Sequence, residues 1–153
     1  MRLRENKDVT SDWFAFLKKD FVQGFPAFCG FEVTHIDHGI FETCLKIQEK
    51  HRQQDGFVHA GVISTMADHT AGYAAYTTVT RKSRILTVEF KINFFKPATG
   101  PLLICRSKVI NSGKKIKVVE SEVFSVSDGT EKLVSKAMLT MTAVPAEKIQ
   151  SSS

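Results

Sequence analysis

The sequence predicts an α+β fold in which a six-stranded antiparallel sheet wraps around one long central helix, with a further helix at the N-terminus. Three observations carry this. Ala60 to Thr80, AGVISTMADHTAGYAAYTTVT, places Val62, Ile63, Met66, Ala67, Ala71, Ala74 and Ala75 on most sides of a helix. A helix apolar all round is enclosed by its own protein. Leu86, Val88, Phe90, Ile92 and Phe94 alternate with Thr87, Glu89, Lys91 and Asn93, the period of a strand. Short turn signals then separate further strand-like runs, as in antiparallel sheets.

Residues 11–22, SDWFAFLKKDFV, read as an amphipathic helix with Trp13, Leu17 and Phe21 on one stripe. Ser11 or Asp12 is placed to cap it, and Gly24 and Pro26 to end it. Phe31–His35 reads as a short strand and Asp37-His38-Gly39 as a turn. Phe41, Thr43, Leu45 and Ile47 then alternate with polar neighbours. A polar loop over residues 50–56 leads to the central helix, and Pro97 and Gly100 close the strand that follows it. Leu102–Ile110, Ile116–Val126 and Lys132–Ala143 complete the sheet, joined at Asn111-Ser112-Gly113 and Asp128-Gly129-Thr130. The core is expected over about 25–143, with a frayed polar tail at 146–153.

At 153 residues, 42% hydrophobic and 24% charged, the chain has the size and composition of one globular domain. A two-domain nucleotide-binding enzyme does not fit that length. The net charge of +5 suits an anionic ligand, but the basic residues are dispersed and form no nucleic-acid-binding motif. No apolar run approaches the ~20 residues of a membrane span, and residues 1–13 have no apolar signal segment. Cys29, Cys44 and Cys105 are an odd, widely spaced set, which reads as reduced thiols in a cytoplasmic protein. His59 and His69 are ten residues apart, and neither has a metal-ligand partner at suitable spacing, so no metal is expected.

Asp68 is the only carboxylate between Asp55 and Glu89, and it lies in the most apolar helix. Buried carboxylates are costly unless paired, which makes Asp68 a candidate site residue. Ahead of it, Gly56-Phe57-Val58-His59-Ala60-Gly61 enters the helix through residues with small side chains. A helix N-terminus offers unpaired N–H groups to an anion or a developing oxyanion. Ala60 and Asp68 are eight residues apart, or about 12 Å along a helix. One helix therefore cannot easily bring both groups to one carbonyl, whereas two antiparallel copies across a two-fold axis can. If both groups serve one reaction, the active unit is at least a dimer.

The segments GFVHAGVISTMADHTAGYAA and TVEFKINFFKPATG resemble the PaaI-like acyl-CoA thioesterases of the hotdog-fold superfamily. The resemblance covers roughly residues 25–143 and implies a hotdog fold. It also implies hydrolysis of an acyl-CoA thioester. His59-Ala60-Gly61 stands where the family has His-Gly-Gly, which preserves the main-chain N–H and adds a methyl group. The resemblance implies that Ala60, together with Gly61, polarises the thioester carbonyl. It implies that Asp68 acts as general base on water or as nucleophile, that Gln53 orients water or the carbonyl, and that Thr87 holds Asp68 or the water. Thr87, however, alternates opposite to the apolar face expected to pack on the helix.

For His59 the resemblance implies a structural role beside the substrate, fixing the loop before the helix. His35, His38 and His51 read as solvated. Arg81, Lys82, Arg84, Lys96, Lys114 and Lys115 are candidates for the coenzyme A phosphates. No cofactor is expected beyond the coenzyme A of the substrate. The implied partners are a small-molecule acyl-CoA and further copies of the chain, a dimer at least and a tetramer by resemblance. Neither nucleic acid nor membrane is expected. Two other readings remain: a hotdog acyl hydratase or dehydratase, and a non-catalytic acyl-CoA-binding module.

Overall fold

A computed structural model describes residues 7–150 of the chain. The elements run α1 (Lys7–Phe21), α2 (Phe25–Cys29), β1 (Glu32–Asp37), β2 (Ile40–Lys46), a 3-10 turn (Glu49–His51), α3 (Ala60–Tyr76), β3 (Ser83–Phe94), β4 (Leu102–Ser112), β5 (Ile116–Ser127), β6 (Thr130–Pro145) and α4 (Ala146–Gln150). The strands form one six-stranded sheet in the order β1-β2-β4-β5-β6-β3. Every pairing is antiparallel. The sheet wraps α3, which touches every strand from β2 to β6. The α+β fold expected from the sequence is the one observed.

Small side chains let α3 sit close to the sheet. Ala67, Ala71, Ala74 and Ala75 are fully buried against inward-facing Phe41, Leu45, Leu103, Val123, Leu139 and Met141. Several inward positions are polar, and most bond to the helix or to each other. The Thr43 and Thr70 hydroxyls lie 2.8 Å apart. Ser121 donates to the Ala67 carbonyl at 3.1 Å, and Cys105 to the Met66 carbonyl at 3.8 Å. Partnering of this kind is what permits polar groups under a helix.

The apolar stripe of α1 behaves as the sequence predicts, with Trp13, Leu17 and Phe21 buried. Trp13 Nε1 donates to the Tyr76 carbonyl at 3.2 Å. The Tyr73 hydroxyl donates to Asp20 at 2.7 Å. Burial and the Asp20 carboxylate push the Tyr73 phenol far up, so it stays a neutral donor. Three expectations for this region are corrected. Ser11 and Asp12 lie within α1, so neither is its cap. Pro26 is not the stop of α1, which ends at Phe21, but opens α2 at its first turn, where its missing N–H costs nothing. The expected polar tail includes a short helix, α4, and residues 151–153 lie outside those described.

β3 departs from the simple alternation. Its register with β6 shifts between Thr87 and Glu89, a β-bulge at Val88. Before the bulge, Thr87 lies opposite the buried Met141; after it, Phe90, Ile92 and Phe94 lie opposite the buried Leu139, Ala137 and Ser135. The extra residue therefore switches which parity faces the helix. Thr87 faces inward and Leu86 outward, the reverse of the reading from alternation. The buried inner face at that point is supplied by β6, and β3 is left as an exposed edge.

Gly100 shows how tightly the β3–β4 connection packs. Its N–H donates to Ser125 Oγ at 2.9 Å, and a Cβ there would collide with the Val126 carbonyl. Backbone cannot yield as a flexible side chain does. Gly100→Ala is expected to cost about 1–3 kcal/mol and to lower Tm by roughly 3–10 °C, measured by thermal denaturation.

Candidate active site

The site begins in the loop before α3. Gln53 N–H donates to the Phe57 carbonyl at 2.8 Å, and Gly56 N–H returns to Gln53 at 3.0 Å. Gly56 adopts φ 82°, which favours glycine. Val58 N–H bonds the Ala98 carbonyl at 3.0 Å, and His59 N–H bonds the His51 carbonyl at 2.8 Å. These bonds anchor both flanks of the loop. His51 was expected in solvent; it is buried at 3% exposure. Its Nδ1 accepts from Gln48 N–H at 2.9 Å, and its Nε2 donates to the Cys29 carbonyl at 2.8 Å. That ring therefore joins the end of α2 to the loop that presents α3. Nothing in the polar run around it marks this role.

His59 caps α3, with Nδ1 accepting from Gly61 N–H at 2.8 Å. This makes Nδ1 the acceptor of the ring and leaves Nε2 as its donor. It also occupies the Gly61 donor, which is thus not free to serve as a second oxyanion donor. Ala60 N–H has no acceptor among the described residues. Ala60 lines a cavity of about 280 Å³ together with Gln53, Phe57, Ile63, Phe94 and Lys96.

Asp68 lies two turns further along α3 and is only half-buried. Thr87 Oγ1 donates to Asp68 Oδ1 at 2.7 Å, across from β3. The bulge at Val88 makes this contact possible. Asp68 Oδ2 has no partner among the described residues. His69, beside it, turns toward α1 instead, donating from Nε2 to the Phe21 carbonyl at 2.9 Å. Its ring packs on Phe21 and Tyr73 at 4.3 and 4.9 Å between centroids.

The basic candidates separate. Lys96 shares the cavity with Ala60 and Gln53. Lys82, Lys114 and Lys115 line another, of about 670 Å³, at the Ser83 end of β3. Arg81 stacks over Trp13 and Phe16, its guanidinium carbon 5.6 and 5.0 Å from the ring centroids. Arg84 donates to the Arg81 and Ser83 carbonyls. These two arginines hold α1 and the turn after α3. Within one chain, then, the candidate residues fall into two separate groups: Ala60, Gln53 and Lys96 at the start of α3, and Asp68 with Thr87 at its middle. Among the described residues no cluster of His, Cys, Asp and Glu is disposed to hold a metal ion, and no helix is long and apolar enough to cross a membrane.

A helix enclosed by a curved antiparallel sheet defines a hotdog-type scaffold. The profile of the thioesterase superfamily matches residues 55–132 of the 153, and the chain belongs to that family. A thioesterase family protein from Silicibacter pomeroyi superposes with a TM-score of 0.80 at 31% identity, over 92% of this chain and 98% of that one. A 1,4-dihydroxy-2-naphthoyl-CoA hydrolase of Listeria monocytogenes is 27% identical over 105 residues, 69% of this chain and 83% of that one. A Streptococcus mutans protein, solved bound to acetyl-CoA, shares the fold with a TM-score of 0.66 at 23% identity, over 76% of this chain and 90% of that one.

Burial holds both His51 and His69 below the ordinary histidine range. Between the folded and unfolded pKa values the unfolded chain binds more protons, so stability rises with pH there. Lowering the pH from about 7 to about 5 is therefore expected to lower Tm. His69→Gln keeps a donor for Phe21 but cannot titrate. Its Tm is expected to fall less over the same range, as followed by circular dichroism.

Proposed function

We propose that this chain hydrolyses an acyl-CoA thioester to the free acid and coenzyme A, in the manner of the PaaI-like enzymes it resembles. The observation that carries the reading is Asp68. It is the one carboxylate on α3, with one oxygen held by Thr87 and the other without a partner among the described residues. Ala60 N–H is the oxyanion donor, and Gln53, in the same cavity, orients the carbonyl or the attacking water. Asp68 takes a proton from water as the hydroxyl oxygen bonds to the carbonyl carbon. The tetrahedral oxyanion faces Ala60, and its collapse breaks the C–S bond and releases the coenzyme A thiolate, which takes up a proton. Thr87 keeps Asp68 Oδ1 occupied, so that Oδ2 is the basic atom.

The two half-sites are brought together by a second copy of the chain. β3 is a long edge strand with Leu86, Val88, Phe90 and Phe94 all exposed at 38–58%. Such an edge invites pairing with another strand. Thr87 marks the Asp68 half-site and Phe94 the Ala60 half-site, seven positions apart on β3. Antiparallel pairing of two β3 strands, centred near Phe90 and Lys91, sets each half-site beside its complement on the partner. The same pairing brings the groove of Lys82, Lys114 and Lys115 toward the partner's Lys96, and these four amines suit the phosphates of coenzyme A.

Release of free thiol from acyl-CoA tests the chemistry. Asp68→Asn is expected to lower kcat about 100-fold or more, and Thr87→Val by a smaller factor. Retained hydrolysis in Asp68→Asn sinks the mechanism.

Ala60→Pro removes the oxyanion N–H with little cost to the fold. Proline suits the first helical position, and His59 at φ −63°, ψ 136° already holds the extended conformation required before it. Mixing inactive Ala60→Pro and Asp68→Asn chains is expected to restore about a quarter of wild-type activity. Half the dimers are mixed, and each has one intact site of two. No recovery after subunit exchange rules out a shared site.

A further inference from the structure

The loop ahead of α3 is a small hairpin. Arg52 and Val58 face each other as an antiparallel bridge. On one side of that pair His59 N–H bonds the His51 carbonyl, and on the other Gln53 N–H bonds the Phe57 carbonyl. The base is anchored, because Val58 N–H reaches the Ala98 carbonyl at 3.0 Å. The tip, residues 54–56, is exposed. A Cβ added at Gly56 would meet nothing within 4 Å, so packing does not hold the tip there. Glycine also restrains its own peptide planes least of all residues, and Gly56 is already at φ 82°. The tip keeps one shape only if hydrogen bonds impose it.

Arg52 supplies such a bond. Its Nη1 donates to the Gly56 carbonyl at 2.7 Å, the length of a charge-assisted bond. Among the described residues it is the one side chain bonded to the main chain of residues 53–57. Asp55 lies in the same tip, yet this bond goes to a main-chain carbonyl. That carbonyl belongs to the peptide joining Gly56 to Phe57. Fixing it fixes how the chain enters Phe57, whose own carbonyl accepts from Gln53 N–H at 2.8 Å. Gln53 and Phe57 both line the cavity beside Ala60, and Arg52 is not among the residues that line it.

We propose that Arg52 is a positioning residue for the hydrolysis, holding Gln53 in its working orientation by tying down the Gly56 carbonyl. This inference rests on the thioesterase function above and on the role of Gln53 in it. Arg52 touches neither the substrate nor the attacking water. It acts through the hairpin: the Gly56 peptide sets the place of the Phe57 carbonyl, and that carbonyl sets the main chain of Gln53. A displaced orienting group costs rate rather than affinity when its contact matters in the transition state. Arginine suits the task because its charge does not titrate and its planar fork is rigid.

A double-mutant cycle tests this, with thiol release followed on whichever of acetyl-CoA, hexanoyl-CoA and benzoyl-CoA wild type cleaves fastest. The chains compared are wild type, Arg52→Met, Gln53→Ala and the double variant. Methionine keeps the apolar stem of Arg52 and removes the donor. Gln53→Ala keeps every main-chain group of the tip, so it removes the group that is positioned and leaves the bonds that position it. Arg52→Met is expected to lower kcat about tenfold while KM changes by less than about twofold. Gln53→Ala is expected to lower kcat by about tenfold or more. Adding Arg52→Met to Gln53→Ala is then expected to change kcat by less than about twofold. A role confined to stability predicts instead the same loss in both backgrounds. That outcome, a wild-type kcat in Arg52→Met, or a loss confined to KM overturns this inference and leaves the thioesterase reading standing. A wild-type kcat in Gln53→Ala removes Gln53 from the mechanism and this inference with it. Wild type that releases no thiol from any of the three overturns the thioesterase reading itself.

Discussion

The close seating of α3 on the sheet is the constraint from which the other features follow. A helix enclosed on nearly all sides must bring small residues to the contact, hence the run of alanines. The strands below must answer with small residues of their own, and serine, threonine and cysteine meet that demand at Thr43, Cys105, Ser107 and Ser121. Their hydroxyls and thiol then need partners. The α3 carbonyls of Met66 and Ala67 supply two of them. A carbonyl inside a helix already accepts one bond and has a second lone pair to offer. The polar seam thus fixes the helix along its axis, which apolar contact alone specifies poorly.

Fixing α3 fixes the loop ahead of it. His51, Val58 and His59 tie the loop to α2 and to the β3–β4 connection, and His59 closes the first turn through Gly61. What remains at this end of α3, among the described residues, is one donor without a partner, Ala60 N–H, at the positive end of the macrodipole. An uncapped N-terminus would offer several donors to water. Satisfying the neighbours leaves one donor with a defined direction, which is what stabilising charge at one developing oxygen requires.

The fold was largely legible because its dominant signals are periodic. The stripe of Trp13, Leu17 and Phe21, the alternation of Phe41, Thr43 and Leu45, and the turns near Asn111 and Asp128 each reflect one repeating geometry. The misreadings came from single residues that break a period. Val88 is indistinguishable in sequence from its alternating neighbours, yet as a bulge it reverses the inward face of β3 and turns Thr87 toward Asp68. Bulges have no residue signature when they lie within an apolar run. The short helix α2 did carry a signal, Pro26 near its start and Gly30 at φ 89° just past its end, but five residues are too few to show a helical period. His51 lies in a run of polar residues, and its burial follows only from tertiary contacts. The candidate site was legible as residue types. That Gly61 is occupied, and that the basic residues divide between two cavities and the α1 contact, depended on packing.

The rigidity that positions these groups also separates them. Ala60 and Asp68 are on one continuous helix, and their spacing is set by its rise of about 1.5 Å per residue. Bending α3 to close that gap would break its own ladder and lift Thr70, Met66 and Ala67 from the partners that hold them to the sheet. Loop motion cannot substitute, because the donor is the first N–H of the helix and moves only with it. A single chain of this fold therefore has two well-formed half-sites and no inexpensive motion that joins them. The exposed apolar edge of β3 passes both half-sites. The proposed pairing along that edge places complementary halves side by side without deforming either chain. On this argument, the proposed self-association rests on the stiffness of α3 as much as on the apolar surface at the edge.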